Sequence, residues 1–125
     1  MKKLIFIAFL SLVSFSVHAQ KIKIKKGIVY VDGKECLKVG GDANNVSFST
    51  LDGEEIIFLK FIRKYGDLYN KVVFLDQKIT FTSTSYIFTK KLLIKKLIED
   101  GTLKDCALVA EKAERFAMKF DEDVD

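Results

Sequence analysis

Proline and tryptophan are absent from the chain, and histidine occurs once, at position 18. Without proline, changes of direction fall to Gly, Asn and Asp. The one imidazole lies inside a segment that reads as a removable export signal, so the rest of the chain has none. That excludes the Ser-His-Asp and Cys-His nucleophile systems, which need a ring titrating near neutrality. Zinc sites built with His fall away as well, and two cysteines cannot furnish a Cys₄ site. No phosphate-cradling loop occurs, and no cofactor is expected. Any chemistry would rest on carboxylates, Lys, Tyr or a thiol.

Long apolar runs are confined to the start. Met1-Lys2-Lys3 is cationic, Leu4 to Val13 is apolar except at Ser11, and Val17-His18-Ala19 sets small residues around a cleavage point before Gln20. This is the pattern of a bacterial-type signal peptide over residues 1–19, cleaved after Ala19. The run is too short to span a bilayer and no second one follows, so no stable membrane insertion is expected after cleavage. No Cys stands at the cleavage point, which argues against a lipid anchor. The expected location is the periplasm or the extracellular space. Taking 19 residues from 125 leaves 106, enough for one domain with a modest core.

Charge is uneven. Lys2 and Lys3 account for two of the formal +4, leaving +2 from Gln20 onward. Residues 20–96 hold 15 Lys or Arg against 8 Asp or Glu, and residues 97–125 hold 4 against 9, so +7 is followed by −5. A solvated surface of mixed sign accounts for this, and an exported protein has little occasion to meet nucleic acid, which is not expected as a partner.

Cys36 and Cys106 are the two thiols. Two readings stand side by side. Export to an oxidising compartment favours a disulfide, which would close a loop of about 71 residues. Alternatively, Cys36, lying in an apparent strand, serves as a small buried apolar residue. A thiol function would need an exposed cysteine of low pKa, and pairing would exclude it.

The densest apolar segment is Val46 to Arg63. Val46 and Phe48 alternate with Ser47 and Ser49, Asp52-Gly53 offers a hairpin turn, and Ile56 to Ile62 is apolar at nearly every position. A strand apolar on both faces belongs inside a sheet. Ahead of it, Lys21 to Lys25 alternates strictly, Ile28–Val31 and Glu35–Val39 flank an Asp32-Gly33 turn, and 40–45 reads as a loop. Behind it, 64–70 reads as a turn or longer loop, Val72–Leu75 as a strand, and Ile79–Thr84 as another after Asp76-Gln77. The period then changes. Leu93, Ile94, Leu97 and Ile98 predict a helix entered near Ser85 and closed at Gly101, and Val109, Ala113, Phe116 and Phe120 predict a second over 108–120, with Asp105 as cap. The expected fold is α+β: an antiparallel meander of six to seven strands, open or curled into a partial barrel, followed by two C-terminal helices on one face. The single domain covers 20–120, and the acidic residues 121–125 are expected to fray. Whether Ile56, Phe58 and Ile62 are enclosed or left bare decides between a barrel interior and a patch suited to a partner.

Among candidate sites, Tyr65, Asp67, Tyr69 and Asn70 combine rigid apolar area with hydrogen-bonding groups on one expected loop, a composition that suits binding. Glu54 and Glu55 cannot flank one bond, since neighbours on a strand point to opposite faces. A calcium loop set on Gly101 would put Lys96 and Ile98 where oxygen ligands belong. Asn45-Val46-Ser47 matches a glycosylation acceptor but leads straight into a strand. These features point to a small exported, non-catalytic binding or interaction module whose partner is an envelope protein, a peptide or a glycan. An inhibitor of a secreted or host hydrolase is the alternative, and a carboxylate-dependent hydrolase a third reading.

Overall fold

The computed structural model describes residues 20–124. The expected signal peptide, 1–19, and Asp125 lie outside them. Seven strands follow one another: β1 (Ile22–Lys25), β2 (Ile28–Val31), β3 (Lys34–Gly41), β4 (Asn45–Ser49), β5 (Glu55–Lys64), β6 (Asp67–Phe74) and β7 (Ile79–Ser83). They pair in chain order into one antiparallel sheet, and β1 and β7 do not meet, so the sheet is open and no barrel forms. Helix α1 (Lys90–Glu99), a small hairpin of β8 (Leu103–Lys104) and β9 (Ala107–Leu108), and helix α2 (Ala110–Phe120) complete the α+β arrangement.

Tight turns hold the meander together. Lys26-Gly27, Asp32-Gly33 and Tyr65-Gly66 each place two successive residues at positive φ, the geometry whose twist matches that of the flanking strands. The Tyr65-Gly66 turn corrects the loop expected over 64–70: Lys64 pairs with Asp67, and β6 is already under way at Tyr69 and Asn70. The Asp52-Gly53 pair, in contrast, sits within a wider connection over 50–54, where the Thr50 amide donates to the Glu54 carbonyl (2.8 Å). The expected loop over 40–45 shrinks to the segment after Gly41. There Asp42 Oδ1 accepts from the amides of Asn44 (2.8 Å) and Asn45 (2.9 Å), which hold its carboxyl below the usual range.

The core lies on one side of the sheet. Phe48, Ile57 and Phe74 stand in one cross-strand row, and Val46, Leu59, Val72 and Phe81 in the next. All are buried, together with Leu93, Ile94 and Leu97 of α1 and Ala113, Phe116 and Ala117 of α2. The rings of Phe74, Phe81, Phe88 and Phe116 interlock with centroids 5.7 to 6.2 Å apart. Both helices therefore cover the Ile57–Leu59 face, as their apolar stripes require.

Three boundaries differ from expectation. Helix α1 begins at Lys90, not near Ser85, and its cap is Thr89, whose Oγ1 accepts from the Leu92 amide (3.2 Å). Asp105 does not cap α2. It shares a turn with Cys106, both at positive φ, between β8 and β9. Residues 121–124, expected to lack partners, run along the outer edge of β7, where the Glu122 amide donates to the Thr82 carbonyl (2.7 Å).

Candidate functional site

The face of the sheet away from the helices carries the side chains interleaved with the core rows. Ser47, Phe58, Val73 and Thr80 form one cross-strand row, and Asn45, Lys60, Lys71 and Thr82 the next. Period two along each strand puts these rows on the side opposite Ile57 and Leu59. Phe58, Ile62 and Val73 are half-buried, unlike the fully enclosed residues behind them. Toward β1 the same face presents Ile28 and Tyr30, again half-buried, with Lys23, Lys25 and Lys38 around them. Lys60 Nζ lies 5.5 Å from the centre of the Phe58 ring, so a cation rests over an aromatic face in the middle of the surface. The result is a shallow apolar strip flanked by lysines.

The four residues expected to share a loop are dispersed. Tyr65 stands at the tip of the β5–β6 hairpin, 94% exposed, and Asp67 lies beside it, exposed, at the start of β6. Tyr69 pairs with Ile62 on the face away from the helices and is buried there, and Asn70 is completely buried on the helix side. There Asn70 Oδ1 accepts from the Phe88 amide, and Nδ2 donates to the Phe88 carbonyl (3.5 Å). Asn70 thus ties β6 to the segment leading into α1, a structural task.

Cys36 and Cys106 lie at disulfide distance, Cα to Cα 5.3 Å, with sulfurs 2.13 Å apart. A register shift in the β2–β3 pairing leaves Cys36 as the extra residue between Glu35 and Leu37, and such a bulge re-aims a side chain. Beside the pair is a cleft of about 760 Å³ lined by Lys34, Glu35, Lys104, Asp105 and Lys112 among others. Its charges alternate in sign, so it offers no field that would select one kind of ligand.

Two carboxyls with displaced pKa values, Asp42 and Glu122, are both shifted down, the opposite of what a general acid needs. Among the described residues no cluster of His, Cys, Asp and Glu could hold a metal ion, and no helix is long and apolar enough to cross a membrane. Comparison with family models, curated proteins and solved structures finds no match to this chain.

The bare face was only half legible in the sequence. The apolar even positions of the central strand, Ile56, Phe58 and Ile62, marked it, but nothing local says which side two distant helices will cover. Ile56 itself ends buried, at a register shift near the start of β5.

Proposed function

We propose that this chain is an exported, non-catalytic binding protein that engages an envelope protein, a peptide or a glycan through the uncovered face of its sheet. The observation that carries this is the half-exposed strip of Phe58, Ile62 and Val73 with Lys60 over the Phe58 ring, on a face that neither helix covers. Apolar area ringed by polar groups is the usual composition of a recognition surface. A cysteine pair at bonding distance is compatible with an oxidising compartment.

A second reading has its own observation. Tyr65 projects from a two-residue turn on a continuously paired hairpin, and a rigid protruding aromatic is what an inhibitor of a secreted hydrolase would insert into its target. Affinity capture from the native envelope separates the two. Phe58→Ser with Val73→Ser should abolish capture while the folded spectrum is kept, and Tyr65→Ala should leave it intact. The reverse result would favour the inhibitor, and capture indifferent to both sets of changes would sink the binding proposal.

A further inference from the structure

Strand β7 is the last of the sheet, and its Thr82 turns amide and carbonyl outward, away from β6. An edge of this kind is a template for another extended chain. Here the template is filled by residues 121–124 of the same chain. Asp121 Oδ1 accepts from the Thr82 amide (3.1 Å), the Glu122 amide donates to the Thr82 carbonyl (2.7 Å), and the Val124 amide donates to Thr82 Oγ1 (2.8 Å). At the end of the strand, Glu122 Oε1 accepts from Ser83 Oγ (3.1 Å), the Thr84 amide (2.6 Å), Thr84 Oγ1 (3.2 Å) and the Ser85 amide (2.8 Å), and the Ser85 side chain also stabilises its carboxylate.

We propose that the β7 edge and the Ser83–Ser85 turn form a receptor for an extended acidic segment of another protein, and that residues 121–124 occupy it in the free molecule. Three features support this beyond the bare-face reading, on which it does not rest. The receptor is shaped in part without its occupant, because Ser83 Oγ also accepts from the Tyr86 amide (3.1 Å) and fixes the turn. The occupant is held mainly by polar contacts at the surface: Asp121, Glu122 and Asp123 are exposed, and Val124, its one apolar residue, is only half-buried. The long-range field favours an acidic occupant, since the body over 20–96 carries an excess of Lys and Arg. The chemistry selected is narrow. A carboxylate must reach the nest, the same residue must donate its amide to the strand edge, and an acidic neighbour must cap the Thr82 amide.

A tethered tail competes at millimolar effective concentration, so a free segment binds the intact chain weakly unless the tail is released. The probe is a fluorescein-labelled pentapeptide with the sequence of residues 121–125, titrated by polarisation against the full chain and against its Asp121→Ala/Glu122→Ala variant. Binding to the variant should be at least about tenfold tighter than to the unaltered chain. The same peptide with its Glu replaced by Gln should lose most of that affinity. Equal binding to both proteins, or equal binding by both peptides, would overturn the proposal. Amide exchange on the unaltered chain stands apart from the variant's folding. The Glu122 and Val124 amides should exchange at least about a hundredfold faster than those of Ile57 and Leu59, by local opening. Exchange of the two sets at one common rate would show a tail that leaves only on global unfolding, and would equally overturn it.

Discussion

Asn70 lies on the helix side of β6. It is a fully buried polar residue, and both of its amide atoms are spent on the backbone of Phe88. That segment has no regular structure between β7 and α1, so its N–H and C=O would otherwise be orphans in an apolar setting. Phe88 is itself wholly enclosed, against Phe81 and Phe116. Asn70→Leu keeps the volume roughly constant but strands both backbone groups, and each stranded group costs on the order of 1–3 kcal/mol. The expected loss is about 2–6 kcal/mol, read as a lower urea midpoint at unchanged slope. Asn70→Asp, which retains only an acceptor, should also destabilise. An unchanged midpoint in both variants would mean that Phe88 is held by ring packing alone.

At the scale of elements, the contact between the tail and β7 makes the sheet edge sensitive to acid. Hydrogen bonds from the Ser85 side chain and amide, then the Thr84 amide, with a smaller share from the Ser83 hydroxyl, pull the Glu122 carboxyl from its ordinary 4.5 down to about 2. A carboxyl whose folded pKa is depressed stabilises the fold above its unfolded pKa and loses that contribution as pH falls through the folded value. The Glu122 contribution should therefore be complete above about 4.5 and fade between there and about 2. Glu122→Gln should remove this part of the acid dependence, so that the stability curves of the two proteins converge toward pH 2. Curves that stay parallel across that window would contradict the nest. The same contact is why residues 121–124 are ordered against the expectation of fraying. Residues 121–125 have the composition of a frayed terminus, and the partners that order 121–124 lie nearly forty positions away, in a Ser-Thr-Ser stretch that reads locally as a helix entrance. Elements set by local periodicity were legible: the strict alternation at β1, the doubly apolar β5, and the Leu93–Leu97 and Ala113–Phe116 stripes all fall where the pattern put them. Turns lacking the common signal were not. Tyr65-Gly66 makes the same two-residue reversal as Asp32-Gly33, but Tyr at positive φ is rare enough that the Gly, Asp and Asn residues around it suggested a longer loop.

At the scale of the whole molecule, the fold consists of a sheet made by local hairpins and a helical layer that must be brought back onto it. Every strand pair joins neighbours in sequence, so the meander forms from short-range contacts and imposes little on where residues 90–120 settle. What fixes the helical layer is the phenylalanine cluster at its α2 end and, near the β3 side, the Cys36–Cys106 pair, which joins the sheet to the turn between the two helices. A crosslink spanning a sequence separation of 70 residues closes most of the domain into one loop. The chain-entropy account assigns such a loop roughly 4 kcal/mol, a large share of the 5–15 kcal/mol typical of small domains. Reduction should accordingly lower the stability measured in urea by about 4 kcal/mol. The Cys36→Ala/Cys106→Ala variant separates linkage from packing, because Cys36 is a buried side chain as well as half of the crosslink. If linkage dominates, the variant loses about as much as the reduced protein. If burial dominates, the variant loses clearly more, and reduction alone moves the midpoint little. In either case the capture proposed for the face bearing Phe58 and Val73 should be the same in the oxidised and reduced protein below the unfolding transition, because that surface is made by strands β4 to β7 and none of them carries a cysteine.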